Sequence, residues 1–334
     1  MKIGKLSSSV MDAQIISKNE ASSKNLMSRE KCPACNSTGF HIIYENKYDE
    51  SPIKDYLVRF YSSQGTVEFE YLKDACYILC ECNECNFIFQ KDIPNEFLME
   101  RLYEHWIDPQ AALESCEANN LEYYANYAQE IMQIIAYFNI QPSSLEFFDF
   151  GMGWGKWALM AKAFGCNSYG TELSVDRIKY AESNGIKFVK WEEIPEHKFD
   201  FINTEQVFEH ISDPLQTLIH LKNSLKDNGI IKISVPRAND IKRRLKIMDW
   251  QSPKYSKNSL NAVAPLEHIN YYRRSSLLNM ADKAGMKEIF IPVTTQYAYT
   301  VTNWTNVKRI AINIAYPIYR NILKKQNCVF LRQS

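Results

Sequence analysis

Two cysteine pairs, Cys32-Pro-Ala-Cys35 and Cys82-Asn-Glu-Cys85, stand 46 residues apart. Each CxxC places two thiolates on one tight turn, and two such turns complete a tetrahedral zinc shell. The gap exceeds the common spacing of roughly 15–20 residues, so an inserted β segment must bring the pairs together. Asparagine follows each pair, at Asn36 and Asn86. It is the non-glycine residue that most readily takes the left-handed conformation, which predicts two matching knuckles. Four cysteines leave no open position, so such a metal would be structural. Cys76 and Cys80 lie close by and leave the ligand choice open, with unmetallated buried thiols as the competing reading.

A second constellation is the run Asp149-Phe-Gly151-Met-Gly153-Trp-Gly155. Glycines permit a sharp turn and let a ligand approach the backbone. About twenty residues on, the next expected strand ends in Gly170-Thr171-Glu172, followed by Leu173, a position where a carboxylate can accept hydrogen bonds from ribose hydroxyls. The loop reads G-x-G-x-G rather than G-x-G-x-x-G, yet by geometry alone it suits NAD as well as another nucleoside cofactor. A tight βα turn that binds nothing is the plain alternative. Two histidines are placed for proton transfer: His210, and His268 in Pro265-Leu-Glu-His-Ile-Asn-Tyr-Tyr272. Either could instead brace the structure, His210 beside a helix start and His268 as a hydrogen-bond donor.

The elements that must position these groups alternate. Leu145–Phe150, Ser168–Leu173, Ile186–Val189, Phe199–Thr204 and Ile230–Val235 read as buried strands, with Met286–Thr294 as a sixth. Helices lie between them, one capped at Ser174 and one opening at Asp213-Pro214. This rhythm predicts a parallel sheet covered on both faces. Upstream, Asn95–Trp106 and Leu121–Phe138 read as helices, the second from Tyr124, Tyr127, Ile131, Ile134 and Phe138 at helical spacing. Asn303–Lys325 reads as a basic amphipathic helix, for which packing on the domain is the default and a membrane surface the alternative.

Composition narrows the class. The 334 residues carry 39 Lys+Arg against 39 Asp+Glu, a net charge of zero that argues against nucleic acid as partner. The polar first 28 residues hold no apolar run of signal-peptide length, and no segment approaches the roughly 18 apolar residues of a membrane span, so a cytoplasmic chain is expected. With six of nine cysteines between Cys32 and Cys85 and no export signal, metal is expected rather than disulfides.

Taken together, Phe147–Gly155 resembles the first motif of class I S-adenosylmethionine (AdoMet) dependent methyltransferases, and Glu172 matches that family's second-strand acid. Phe199–Pro214 is similar to its fourth-strand motif and Leu225–Pro236 to its fifth-strand region. The resemblance covers about residues 145–236. It implies that Asp149 and Gly151 line the methionine part of AdoMet, that Glu172 binds ribose, that Gly153, Gly155 and Leu173 also line the cofactor, and that Trp191 and Glu192 frame adenine, although ordinary packing explains Trp191 equally well. Asn203, Glu205 and Gln206 fall beside the methyl sulfonium. The segment around His268 resembles a stretch near the substrate pocket of small-molecule methyltransferases, which makes His210 and His268 the candidate bases. Cys32, Cys35, Cys82 and Cys85 resemble the N-terminal zinc ribbon of some of these enzymes, sugar C-methyltransferases among them, with Asn in place of the usual glycines.

The expected architecture is a Rossmann-like, doubly wound α/β sheet of seven strands with a small N-terminal zinc-ribbon domain and a helical connector. Its divisions are a flexible tail (1–29), the zinc module (30–95), the connector or lid (96–140), the methyltransferase domain (141–300) with a substrate insertion at about 237–272, and the C-terminal helix (301–334). Arg237, Lys242, Arg243, Arg244 and Lys246 make the insertion basic, as either a phosphate or carboxylate subsite or a solvated helix face. The implied activity is methyl transfer to a small molecule, a sugar or sugar nucleotide, with AdoMet and structural zinc. An RNA methyltransferase, a non-catalytic AdoMet- and zinc-binding interaction protein, and an NAD oxidoreductase are the alternatives.

Overall fold

The structure, a computed structural model, describes residues 24–334 apart from 63–64, 107, 109–112, 115–117, 237–239, 255, 303 and 322–327. The expected flexible tail therefore lies outside the described residues up to position 23, as do Arg237 of the basic patch and the expected end of the last helix at Lys325.

Residues 26–28, assigned to that tail from sequence, form strand β1 (Leu26–Ser28). A meander follows: β2 (Phe40–Lys47), helix α1 (Ile53–Tyr61), β3 (Cys76–Cys82), β4 (Ile88–Gln90) and β5 (Asp92–Pro94). Strands β2, β3 and β4 pair antiparallel, and β1 pairs with β5. The long gap between the cysteine pairs is thus filled by one hairpin and a helix, which returns Cys82 opposite Phe40. Asn95 caps α2 (Glu96–Arg101) by accepting from the Leu98 N–H at 3.0 Å. Asn120 caps α3 (Leu121–Phe138) in the same way, and left-handed Asn139 (φ 54°) ends it.

The second sheet holds β6 (Glu146–Phe150), β7 (Asn167–Thr171), β8 (Lys187–Phe188), β9 (Phe199–Glu205) and β10 (Leu225–Ser234), all parallel. Helices α4 (Lys156–Ala163), α5 (Val175–Ser183) and α6 (Pro214–Asn223) cross between them. The chain continues through α7 (Ile241–Ile247), β11 (Asn270–Tyr271), α8 (Arg274–Lys283), β12 (Met286–Ile289), α9 (Val293–Ala298), α10 (Val307–Asn321) and β13 (Cys328–Gln333). The seven-stranded order is β12-β13-β10-β9-β6-β7-β8, with β13 antiparallel to both neighbours. The expected doubly wound sheet is present, with β6 at the switch in strand order, where ligands of such sheets bind.

Two further expectations are corrected. The sixth strand stops at Ile289 rather than Thr294, because Pro292 interrupts the ladder and α9 begins at Val293. The last segment is not one helix: Cys328–Gln333 is a strand inserted between β10 and β12. The segment expected as a substrate insertion also reaches the N-terminal sheet. Its β11 adds to β4 of the N-terminal sheet, and its Trp250 and Val263 are buried in one cluster with Tyr44, Tyr56 and Tyr77. No helix of the described residues is long and apolar enough to cross a membrane.

Candidate functional site

Strands β6 and β9 place Asp149 and Asn203 opposite each other. The Asn203 amide donates to the buried Asp149 carboxylate at 2.7 Å. Burial pushes the Asp149 carboxyl up to about 7, with the Asn203 hydrogen bond opposing. The other atom of that amide, Asn203 Oδ1, is buried without a hydrogen-bond partner among the described residues.

The glycine loop leaves β6 with Gly151, Gly153 and Gly155 all at positive φ. A Cβ at Gly151 would lie 2.8 Å from a Val207 methyl, whereas one at Gly153 would meet nothing within 4 Å. The loop is thus closed on its sheet side and open above. Glu172 braces it: Oε2 accepts from the Gly153 N–H at 2.8 Å, and Oε1 accepts from the Leu173 and Ser174 N–H groups at 2.9 and 3.3 Å. A carboxylate offers about four acceptor positions, so one remains for a hydroxyl. Leu173 is 91% exposed, and half-exposed Trp191 stacks on His220 at 4.0 Å, so Trp191 does have a packing partner. Gln206 is left-handed (φ 55°) and its N–H donates to the Ser234 carbonyl, ending β9. An orphaned acceptor, an open glycine cradle and a carboxylate with spare capacity fit AdoMet.

Sequence reasoning missed a buried charge beneath this cleft. Lys232 in β10 donates to Glu130 of α3 at 2.7 Å and to Glu205 at 3.0 Å. Burial opposes its charge, but the two carboxylates outweigh burial and hold its pKa above the usual value. A lysine inside the apolar run Ile230–Val235 was the available signal. A cavity of about 330 Å³ opens beside this pair, lined by Tyr127, Glu130, Glu205, Arg309 and Tyr316.

His210 and His268 come from segments 58 positions apart, and their rings meet at 5.1 Å. His210 Nδ1 donates to the Glu267 carbonyl at 2.8 Å, and Tyr103 Oη lies 3.4 Å from the same nitrogen. Burial lowers both imidazoles, His210 to about 4 and His268 to about 3, so both are neutral near pH 7. Tyr103 is raised by burial and then by the carboxylates of Glu267, Glu172 and Glu209, so it lies in the field of both the cofactor cleft and the histidine pair. Glu209, unassigned from sequence, is buried beside them.

The four predicted cysteine ligands converge, with all sulfurs within 4.8 Å. Cys32–Cys85 and Cys35–Cys82 are each 3.6 Å apart, close to the ~3.8 Å expected between sulfurs about 2.3 Å from a tetrahedral zinc. Asn36 (φ 61°) and Asn86 (φ 55°) are both left-handed, as the sequence led us to expect. The module also grips the histidine segments. Gln90 N–H donates to the Ile269 carbonyl, and Gln90 Oε1 accepts from the Leu266 N–H.

The Methyltransferase domain family matches residues 122–289, half of the chain. No curated protein matches. Among solved structures, the chain is similar to the plantazolicin methyltransferase BpumL bound to a desmethyl-plantazolicin analogue and S-adenosylhomocysteine (13% identity, 71% of this chain, 95% of that chain, TM-score 0.47). It is also similar to PKMT2 from Rickettsia typhi bound to S-adenosylhomocysteine (16%, 62% and 52%, 0.37) and to a TehB-like methyltransferase from Corynebacterium glutamicum (13%, 72% and 100%, 0.39). The family match spans α3, the glycine loop, Glu172 and both histidines, and the chain belongs to the Methyltransferase domain family as an AdoMet-dependent methyltransferase.

Proposed function

We propose that the acceptor is a small molecule of the sugar or sugar-nucleotide class, seated against His210 and His268, and that Cys32, Cys35, Cys82 and Cys85 hold a structural zinc. The observation that carries this reading is the meeting of two neutral imidazoles from separate segments, at 5.1 Å, with Tyr103 Oη 3.4 Å from His210 Nδ1. When bound, AdoMet supplies a methyl group on a sulfonium centre. The protein's task is to align the acceptor atom with that methyl and to receive its proton. Asp149, Gly151 and Asn203 hold the methionine end in this reading, and Glu172 and Leu173 the ribose. Neutral His210 and His268 present ring nitrogens that accept from an acceptor hydroxyl. The zinc keeps β3 and β4 in place, and through Gln90 these support the His268 segment.

Incubation with methyl-labelled AdoMet and fractionated extract tests the reading. Label is expected in the small-molecule fraction, and His210→Ala and His268→Ala are each expected to abolish it while AdoMet still binds. Label on RNA or protein, or full turnover in both variants, would overturn it.

A further inference from the structure

We infer that Glu209, His210 and His268 form a second metal centre, separate from the four cysteines, which takes a divalent cation and offers it to the methyl acceptor. The inference rests on the reading that the acceptor seats against these two rings.

One ligand atom from each of the three residues lies within 4.8 Å of the others. Each is prepared for coordination in a different way. The Glu209 side chain is 1% exposed, and neither carboxylate oxygen has a hydrogen-bond partner among the described residues. Its own backbone N–H lies close but does not reach hydrogen-bonding geometry. Buried carboxylates are otherwise hydrogen-bonded or paired, because an unsatisfied one carries its full desolvation cost. The nearest histidine atom, His210 Nε2, stands 3.9 Å from Glu209 Oε1, too far for a hydrogen bond but suited to two ligands of one ion.

The histidines carry the complementary preparation. His210 Nδ1–H is committed to the Glu267 carbonyl, which leaves the lone pair on Nε2, the nitrogen nearer Glu209. A ring N–H donated to a backbone carbonyl is the usual way a ligating histidine is oriented. His268 lies against the carbonyls of Asn261 and Ala262, and its Nδ1 is buried without a partner. Two neutral imidazoles and one carboxylate make a donor set for zinc, cobalt, manganese or iron(II) rather than magnesium or calcium. Three protein ligands leave a coordination position open, which suits an acceptor hydroxyl; with the cation bound, that hydroxyl would meet the cation in place of the ring lone pairs, which then serve as ligands. An ion there also accounts for the orphaned Glu209, whose carboxyl is otherwise pushed up to about 8 by burial.

Cobalt(II), titrated into the full chain with its cysteine site filled by zinc, tests this. A saturable visible absorption from nitrogen and oxygen ligation, without thiolate charge-transfer bands, is expected at about one cobalt per chain. Glu209→Gln and His268→Ala should each weaken it at least about tenfold. S-adenosylhomocysteine affinity, read in parallel, should stay within about twofold and so report an intact fold. No cobalt band, or a band that both variants leave unchanged, would overturn the second centre. Label transfer separates the two readings. Transfer to small molecules that persists after this site is emptied with zinc retained overturns the cation's role and leaves the acceptor reading standing. Label found only on macromolecules overturns the acceptor reading, while the cobalt titration still decides the metal.

Discussion

The Arg29 guanidinium donates to the side-chain oxygen of Asn270 at 2.9 Å across 241 positions of sequence. The same guanidinium donates to the carbonyls of Ile269 and Ser212, and the Asn270 amide donates to the carbonyls of Phe208 and Ile211. One residue at the entrance to the four-cysteine module therefore ties together the segments that carry His210 and His268. Burial lowers Arg29 to about 10, and it stays charged at neutral pH. Arg29→Ala is expected to lower kcat about 100-fold, as a shift of about 1 Å in aligned groups does. S-adenosylhomocysteine affinity should change less than about twofold. Arg29→Lys should recover little, because one ammonium cannot span these acceptors. Steady-state kinetics beside a binding titration reads this split.

Asp149 sets a pH dependence. Its folded-state pKa, about 7, lies above the ordinary aspartate value of 3.8. The folded apoprotein thus keeps a proton that the unfolded chain releases, and this group's contribution to stability declines as pH rises from about 4 to about 7. A cofactor ammonium at the proposed methionine contact favours the carboxylate. S-adenosylhomocysteine affinity is therefore expected to rise from pH 6 towards about 7 and then level. Asn203, Glu205 and Lys232 also act on this carboxyl and should set where the rise is centred. Calorimetric titration across pH checks it, and Asp149→Asn should flatten the profile.

Two glycines of one loop separate packing from conformation. Gly151→Ala drives a methyl into Val207 at a φ of 70°, so S-adenosylhomocysteine binding should fall more than tenfold. Gly153→Ala meets no protein atom within 4 Å, so the folded chain carries only the left-handed cost there, roughly 1–2 kcal/mol of stability. Equal loss of melting temperature in the two variants, read without cofactor, would contradict this division.

Removal of one sulfur tests the metal module. Cys82→Ser is expected to lose zinc, read by metal analysis, and to lower the melting temperature, because structural zinc binding is itself folding free energy. The loss should extend to turnover, since β4 supports both Leu266 and Ile269 through Gln90. A variant without zinc but with wild-type melting and turnover would overturn the structural role.

Much of the site was legible because its residues are local in sequence. The glycine loop, Glu172, Asn203 and the CxxC pairs sit at strand ends or tight turns, where backbone geometry restricts residue type over a few positions. Asn36 and Asn86 are the clearest instance, since the residue type alone pointed to a left-handed turn. Other features were hidden. Strand β13 is short, and its partners β10 and β12 precede it by about 95 and 40 positions. Lys232 reads as an oddity in an apolar run until Glu130 and Glu205 arrive from two other elements.

The sequence by itself determined the alternation of strands and helices, the cofactor loop with its acidic partner, and the two cysteine knuckles, because each depends on periodicity or a local turn. Only the tertiary structure decided that the insertion completes the N-terminal sheet, that Arg29 spans both histidine segments, and that Glu209 is buried beside His210 and His268 without a hydrogen-bond partner among the described residues. Those relationships join groups tens to hundreds of positions apart. Packing brings them together, and no spacing rule along the chain encodes them.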